Sequence, residues 1–546
     1  MIRIAAVLFI VFLVITSFDV ADARGNKQKG TTLDSLNIHY LNWYNLDPKS
    51  DKVQGVSVDK AYQELLVGKT PKKKIIVAVI DGGVDITHED LKDKIWVNTD
   101  EIPNNQMDDD HNGYVDDING WNFLGNASGE NLDIENFEFV RVINKYKSLY
   151  DTITTIQNLT KEDRENYTQY QHCLKRYNDE IEEITSQLEE LNEFRTKLDS
   201  ALVLLSPYTK NKEPKLDEIE KVEPKNKQEA DAKKLLKYIL KRGFTYKMLD
   251  YETIELNKEL NTSLNIELNG RIIVGDDCYN PNEKNYGNND VTGPSAEHGS
   301  FVSGIIAANR NNNKGINGIA DNVEIMVLRA VPDSDEYDKD VVLSIRYAVD
   351  NGANIINMSF GKEFSPLKNL VDDAILYAES HGVLLIHASG NEAANCDTVE
   401  SYPTKRLNDN SLVKNWITVG ANAKIGNKTL PGVFSNYGQK TVDVFAPGVD
   451  IISLFPGSKY DLESGTSFSS PVTSGVAALV WSYYPELTAV ELKDILLASA
   501  LKNSKKVYRP NITTYKKTKV RFATLSVTGG IINAYEALKL AESRTK

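Results

Sequence analysis

The chain has few cysteines, no excess of positive charge and no long hydrophobic run beyond its first residues. Three cysteines among 546 residues cannot all pair within one chain, which excludes a disulfide framework, although one bridge is compatible with the count. The formal net charge of −14 argues against nucleic acid or an anionic membrane as the main partner. We therefore expect a globular protein that binds no nucleic acid.

The first 23 residues have the features of a secretory signal. Arg3 gives a charged start, residues 4–18 form an apolar core, and residues 21–23 offer a small-residue cleavage site. The alternative is a membrane anchor, but the apolar run is short for a span of about 20 residues and acidic residues follow it. We predict a secreted or periplasmic protein with a signal peptide at 1–23 and no membrane span after its removal.

The stretch SGTSFSSPVTSG at 464–475 predicts a nucleophile, Ser467. A serine hydroxyl needs a base to remove its proton and donors to hold the oxyanion that follows. Small residues and a glycine before the serine let a substrate backbone approach, and the apolar residues after Gly475 predict a buried helix that starts near Ser467. The alternative is a Ser/Gly turn that caps an ordinary helix, so the choice depends on finding a base.

A carboxylate and an imidazole occur in suitable places. Residues 75–80 are a continuous apolar run typical of a buried parallel strand, and the run ends at Asp81, where active-site groups of α/β sheets collect. His298 begins an apolar, small-residue helix. A lone histidine there would more often be structural, but the order Asp81, His298, Ser467 is that of subtilisin.

Five segments in this order resemble those of subtilisin-type (subtilase) serine peptidases: VIDGGVD at 79–85, HGSFVSG at 298–304, NMSFG at 357–361, ASGN at 388–391 and GTSFSSP at 465–471. The resemblance covers about 71–126 and 291–540. It implies that Asp81 orients His298, that His298 acts as general base and then acid, and that Ser467 attacks the scissile carbonyl. No cofactor is implied for catalysis.

The resemblance also implies roles around the triad. Asn391 matches the side-chain donor of the oxyanion hole. Two edges match those against which a peptide substrate lies as an added strand, formed by Ser359, Phe360 and Gly361 and by Ala388, Ser389 and Gly390. Four positions depart from the common family pattern: Gly82 lacks a hydroxyl after the aspartate, Phe301 replaces a second histidine, and Phe468-Ser469 replace Met-Ala.

The N-terminal residues 24–70 are shorter than the usual propeptide of the family. They are either a short pro-segment or an extension that stays on the mature domain, and we favour the extension because Trp43, Tyr62, Leu65 and Leu66 are apolar enough to dock.

An acidic stretch at 107–117 predicts a structural calcium site. Asp108, Asp110, Asn112 and Asp116 follow the alternate spacing of a calcium loop, with Gly113 at the sharp turn. The glutamate expected at the end of such a loop is absent. The alternative is a solvated acidic turn.

A long insertion separates Asp81 from His298. Apolar residues step by three and four from Tyr146 to Ile156 and from Tyr170 to Leu191, which predicts an antiparallel helical hairpin or coiled coil, and a third helix is predicted around 226–242. The insertion is either a structural insert, a docking arm for a partner, a gate over the cleft or a regulator of self-activation. We assign 127–290 to it, and 71–126 with 291–546 to the catalytic domain.

Strand–helix alternation after His298 predicts an α/β fold, a parallel sheet with helices on both faces, plus the inserted helical subdomain. We expect a serine endopeptidase that acts on peptides or proteins. Two alternatives are a noncatalytic binding or assembly protein that uses its helical arm, and an esterase or amidase with the same triad. We expect no appended domain after the last helix.

Overall fold

The computed structural model describes residues 30–153, 157, 159–211, 213–310, 312–512 and 517–545. The predicted signal at 1–23 lies outside them, and so does Ile156, which ends the first run of helically spaced apolar residues. The described residues form two compact units: residues 30–138 with 269–545, which we call the sheet unit, and residues 139–268, which we call the helical unit.

Short apolar runs form the strands of the sheet unit, because continuous Val, Ile and Leu suit strands that are buried on both faces. The described strands are β1 Ile75–Asp81, β2 Gly120–Asn122, β3 Val323–Arg329, β4 Ile355–Met358, β5 Leu384–Ala388, β6 Trp416–Asn422, β7 Val444–Pro447, β8 Ile451–Phe455, β9 Lys459–Glu463, β10 Leu501–Lys502, β11 Lys506–Tyr508, β12 Lys519–Arg521 and β13 Gly530–Ile531.

Nine of these strands form one sheet in the order β10-β13-β7-β6-β5-β4-β1-β3-β2, and only the β10–β13 pair is antiparallel. β8 with β9 and β11 with β12 form separate two-stranded sheets. The register pairs Asp81 with Arg329 and Met358 with His387, so the ends of β1, β3, β4 and β5 meet at one edge of the sheet.

The described helices are α1 Val58–Lys60, α2 Glu138–Tyr150, α3 Lys161–Leu205, α4 Leu216–Lys221, α5 Lys227–Leu240, α6 Tyr246–Asn261, α7 Glu297–Ala307, α8 Asp338–Asp350, α9 Lys368–Ser380, α10 Thr466–Tyr483, α11 Ala489–Ala498 and α12 Ala534–Thr545. A capping box opens α11: Thr488 Oγ1 accepts from the N–H of Glu491, whose carboxylate accepts from the N–H of Thr488.

Helices cover both faces of the sheet, which confirms the predicted α/β fold. Successive side chains of a strand point to opposite faces. Ile356 and Met358 pack in one core cluster with residues of α8 and α9. Asn357, between them, accepts a hydrogen bond of 2.8 Å from Ser474 of α10. α10 therefore lies on the opposite face from α8 and α9.

The segment before β1 packs into the sheet unit. Trp43 and Tyr44 are fully buried. The indole of Trp43 donates to the carbonyl of Asp450 at 2.8 Å, and the hydroxyl of Tyr44 donates to the carbonyl of Asn317 at 2.9 Å. Residue 31 also forms an antiparallel bridge with Tyr460 of β9.

The helical unit begins with an antiparallel pair. Tyr146 of α2 hydrogen-bonds Asn166 of α3, and Tyr150 hydrogen-bonds Asp163. α3 runs for 45 residues, well past the predicted end at Leu191, and it packs against α5 and α6. The predicted helical insertion is confirmed; its coiled-coil character stays a prediction.

The compact helical unit is shorter than the predicted insertion. Its bounds, 139–268, leave the flanks 127–138 and 269–290 in the sheet unit. Arg271 gives the physical reason for the second flank: its guanidinium makes a buried, two-bond ion pair with Asp340 of α8. Our division of the chain into domains stays a prediction.

The three cysteines form no disulfide with one another. Within the described ranges, no helix has both the length and the apolar character needed to cross a membrane.

Candidate active site

Asp81 ends β1 and is almost completely buried. Its Oδ1 accepts a hydrogen bond of 2.8 Å from the N–H of Gly82. A Cβ at Gly82 would lie 3.0 Å from the carbonyl oxygen of Ser295, so the chain passes too closely here for an easy substitution. The main-chain amide of Gly82 therefore orients Asp81, although the side chain that many subtilases use is missing.

His298 is the second residue of α7, and its Nδ1 lies 2.9 Å from both carboxylate oxygens of Asp81. Because an ionised carboxylate only accepts, Nδ1 carries the proton and Nε2 is left as an acceptor. Burial lowers the pKa of His298, but the negative charge of Asp81 and its hydrogen bond outweigh burial, so the pKa lies above the usual 6.5.

Gly299 allows α7 to approach β1 this closely. A Cβ at Gly299 would lie 2.1 Å from the carbonyl oxygen of Gly83, and backbone cannot shift as readily as a flexible side chain. The sequence HG at the start of α7 thus places the imidazole against Asp81.

Ser467 is the second residue of α10, after Gly465 at the N-cap. Its hydroxyl donates to the carbonyl of Ser359 at 3.0 Å. The next residue, Phe468, packs its ring 5.7 Å from the ring of His298, measured between centroids, so the first turn of α10 lies near the imidazole. Proton transfer to Nε2 requires the hydroxyl to rotate away from Ser359.

Pro471 accounts for a second hydrogen bond between Ser467 and Ser359, the residue that follows β4. A proline has no N–H, so the carbonyl four residues earlier, that of Ser467, lacks its helical partner. This carbonyl instead accepts a hydrogen bond of 2.9 Å from the hydroxyl of Ser359. Ser359 and Ser467 thus exchange two hydrogen bonds.

Asn391 is oriented by Thr466, a contact that the sequence did not indicate. The Oδ1 atom of Asn391 accepts from the N–H and the hydroxyl of Thr466 at 2.9 and 3.0 Å. Thr466 is fully buried, and its hydroxyl oxygen also accepts from the N–H of Gly390. No described residue accepts from Nδ2 of Asn391 or from the N–H of Ser467, so both are available to an oxyanion.

The two predicted substrate edges differ in their hydrogen bonding. At 388–390, Ser389 donates its N–H to Val419, and Gly390 uses both its N–H and its carbonyl in contacts with Thr466 and Asn436. At 359–361, by contrast, no described residue bonds the N–H or the carbonyl of Gly361. The edge at 359–361 therefore offers, at Gly361, the open N–H and carbonyl groups that an added strand needs.

His387, at the end of β5, supports the open edge. Burial lowers its pKa to about 4, so the ring is neutral at neutral pH. Its Nε2 lies 2.8 Å from the carbonyl of Phe360 and must carry the proton, because a carbonyl only accepts.

The two unusual residues Phe301 and Phe468 also pack together, with ring centroids 4.4 Å apart beneath His298.

The acidic loop brings together a different set of carboxylates from the one predicted. Glu101, Asp110 and Asp117 each place one oxygen within 4.8 Å of the others. Asp108 and Asp116 accept instead from main-chain amides of the loop, and Asn112 donates to both Asp110 and Asp117. Only Asp110 belongs to both the predicted and the observed set. Glu101 precedes the stretch 107–117 whose spacing predicted the calcium site.

Three carboxylates without a basic partner suit a hard cation. No Lys or Arg among the described residues forms an ion pair with Glu101, Asp110 or Asp117, and burial raises the pKa of Asp117. A divalent cation would offset this cost, and calcium accepts carboxylate oxygens together with carbonyl or amide oxygens.

The fold and this site define a class. It is that of the subtilases: the chain belongs to the subtilase family, whose model matches residues 72–524.

Known proteins are similar in sequence to part of the chain. It is 35% identical to the thermophilic serine proteinase of Bacillus sp. (strain AK1) over 40% of this chain and 48% of that protein. It is 33% identical to subtilisin E of Bacillus subtilis (strain 168) over 38% of this chain and 51% of that protein. The chain thus spans about half the length of these curated relatives. The solved structure of the prenylagaramide maturation protease PagA is 28% identical, with a TM-score of 0.37, over 45% of this chain and 84% of that one.

Proposed function

We propose that the chain is a serine endopeptidase that hydrolyses peptide bonds through an acyl-enzyme. The observation that carries this proposal is the hydrogen bond from His298 to Asp81 at 2.9 Å. A carboxylate that fixes the tautomer of an imidazole, next to a serine at a helix N-terminus, is an arrangement suited to acyl transfer.

The proposed reaction begins when Ser467 gives its proton to Nε2 of His298 and its Oγ bonds to the carbonyl carbon. The oxyanion accepts from Nδ2 of Asn391 and from the N–H of Ser467. His298 then returns the proton to the leaving amine, the C–N bond breaks and an ester to Ser467 remains. Water, deprotonated by His298, hydrolyses this ester and restores Ser467.

A fluorophosphonate probe tests the proposal directly. We expect covalent labelling of Ser467, mapped by mass spectrometry, in the wild-type protein and its loss in His298→Ala. His381→Ala is the matched control, because His381 is an exposed histidine at the end of α9. Absence of label from the wild type, or equal labelling of His298→Ala, contradicts the proposal.

We further propose that the protein is exported and that residues 24–70 stay on the mature enzyme. The buried side chains of Trp43 and Tyr44 support retention, since removing them would open the core of the sheet unit. N-terminal sequencing of the probe-labelled enzyme, recovered outside the cytoplasm, should give a start shortly after residue 23. A start near residue 71 contradicts retention.

A structural calcium ion in the acidic loop completes the proposal. Asp110, with Glu101 and Asp117, would hold it. The ion would neutralise the loop and has no part in the chemical steps.

A further inference from the structure

We propose that Lys362 is a positioning residue for substrate: it holds the edge 359–361 in the extended form that accepts a peptide strand. This inference rests on the proposed peptidase function. It adds to that function the residue that fixes the conformation of the substrate edge. Lys362 lies directly after Gly361 and does not touch the triad.

The amino group of Lys362 is anchored inside the protein. Its side chain is 1% exposed, and Nζ lies 2.6 Å from Oε2 of Glu138, 2.8 Å from Oδ1 of Asp338 and 2.7 Å from the carbonyl of Glu336. An ammonium group has three protons, so these acceptors use all of its donors. Glu138 and Asp338 both belong to the sheet unit but are far apart in the chain, and the lysine therefore ties the edge to two separate segments of that unit.

The main chain of Lys362 is fixed as well. Its N–H donates to the carbonyl of Tyr402 at 3.0 Å, and its carbonyl accepts from the N–H of Tyr402 at 2.8 Å. On the other side of Gly361, the carbonyl of Phe360 accepts from His387. Gly361 is thus held between two fixed neighbours while its own N–H and carbonyl stay open.

A glycine alone would not keep this shape, because its backbone has more conformational freedom than that of any other residue. The anchors on either side restrict that freedom before substrate arrives. Without the charge of Lys362, the carboxylates of Glu138 and Asp338 lose the buried ammonium group that both accept from, and this link between them and the edge is broken. We expect the edge to lose its shape as a result, and peptides that pair with it to bind less tightly.

The test uses the full-length enzyme with Lys362→Met, which keeps the length of the side chain and removes its charge. For a hexapeptide p-nitroanilide, loss of one or two main-chain hydrogen bonds should raise KM about 5- to 20-fold. We expect kcat, and kcat/KM for the small ester p-nitrophenyl acetate, to stay within about twofold, since neither depends on an added strand. Lys362→Arg keeps the charge and should recover most of the peptide affinity.

Lys94→Met is the control for loss of a lysine ion pair. Nζ of Lys94 bonds the carboxylate of Asp321 before β3, away from the edge, and the change should leave KM for the hexapeptide unaltered. If Lys362→Met does not fold, Glu138→Gln removes one acceptor charge at constant volume and should still raise KM.

An unaltered KM in the folded Lys362→Met or, failing that, Glu138→Gln overturns the inference, as does an equal rise with Lys94→Met. Failure of the peptidase proposal looks different, because the wild type would then take no fluorophosphonate label.

Discussion

The two units of the molecule place their ion pairs differently. In the sheet unit, Arg271, Lys339 and Lys362 are buried with their carboxylate partners. In the helical unit, pairs such as Lys175–Asp179 and Lys197–Glu193 lie on the surface, at helical spacing. Buried pairs constrain geometry strongly, whereas exposed pairs contribute little. The difference teaches that the sheet unit is built to hold polar groups in fixed positions and the helical unit relies on its apolar stripe.

The largest expected effect is on stability. It tests this contrast with an Asp→Asn substitution made once in each unit. Asp340 accepts two hydrogen bonds from Arg271 and one of 2.6 Å from Tyr286, all buried. Asp340→Asn should therefore lower the free energy of unfolding by about 3–5 kcal/mol. Asp250, which pairs with Arg195 at the surface of the helical unit, is the match, and Asp250→Asn should cost about 0–1 kcal/mol. Urea unfolding measures both, and similar losses would contradict the contrast.

A second pair of substitutions asks whether fixed geometry serves catalysis. Asn391→Ala should lower kcat by about 10²–10³, because it removes the side-chain donor to the oxyanion. KM for a peptide should change much less. Asn192→Ala, at an exposed position of α3, provides the control and should leave kcat as it is. A small effect of Asn391→Ala on kcat would show that the amide does not contact the oxyanion.

The pH profile measures the hydrogen-bonded pair of Asp81 and His298. Only the neutral imidazole can accept the serine proton, and its pKa lies above 6.5. As the pH falls through that pKa, kcat/KM should fall about tenfold per pH unit. Asp81→Asn removes the charge that raises the pKa, so the remaining activity should be lost at a lower pH. Asp179→Asn in the helical unit should not move the profile; a wild-type profile that falls only below 6.5 would contradict the assignment.

The smallest effect concerns the acidic loop. If calcium binds Glu101, Asp110 and Asp117, a chelator should lower Tm by about 2–4 °C, the shift expected for about 1 kcal/mol in a domain of this size class. In Asp110→Asn the chelator should have no further effect. Asp217→Asn, an exposed carboxylate of the helical unit, should leave the response intact. A wild-type Tm that does not respond argues against the ion.

Much of the fold could be predicted because the signals are local. The apolar run at 75–80 indicates β1, and the strands and helices after His298 alternate in a pattern that indicates a parallel sheet. The helical period of the insertion is also clear. The boundaries that we assign to the insertion stay a prediction. The contact of Arg271 with Asp340, 69 residues away, could not be predicted, because no local pattern indicates such a contact.

At the site, motifs indicated the triad and Asn391, whose assigned roles stay predictions. The supporting residues were missed for a physical reason. Thr466 and His387 act through the partners they meet in space, and Lys362 looks like any surface lysine until its burial is known. Glu101 was missed because it reaches Asp110 and Asp117 through a bend of the loop and not through a regular spacing.

The exchange of hydrogen bonds between Ser359 and Ser467 has a consequence for where a bound chain is cut. The attacking oxygen and the first residue of the open edge belong to one linked pair, so they keep a constant offset even if loops nearby move. If the proposed peptidase function holds, we expect a peptide aligned on Gly361 to present its bonds to Ser467 at a constant offset from that residue.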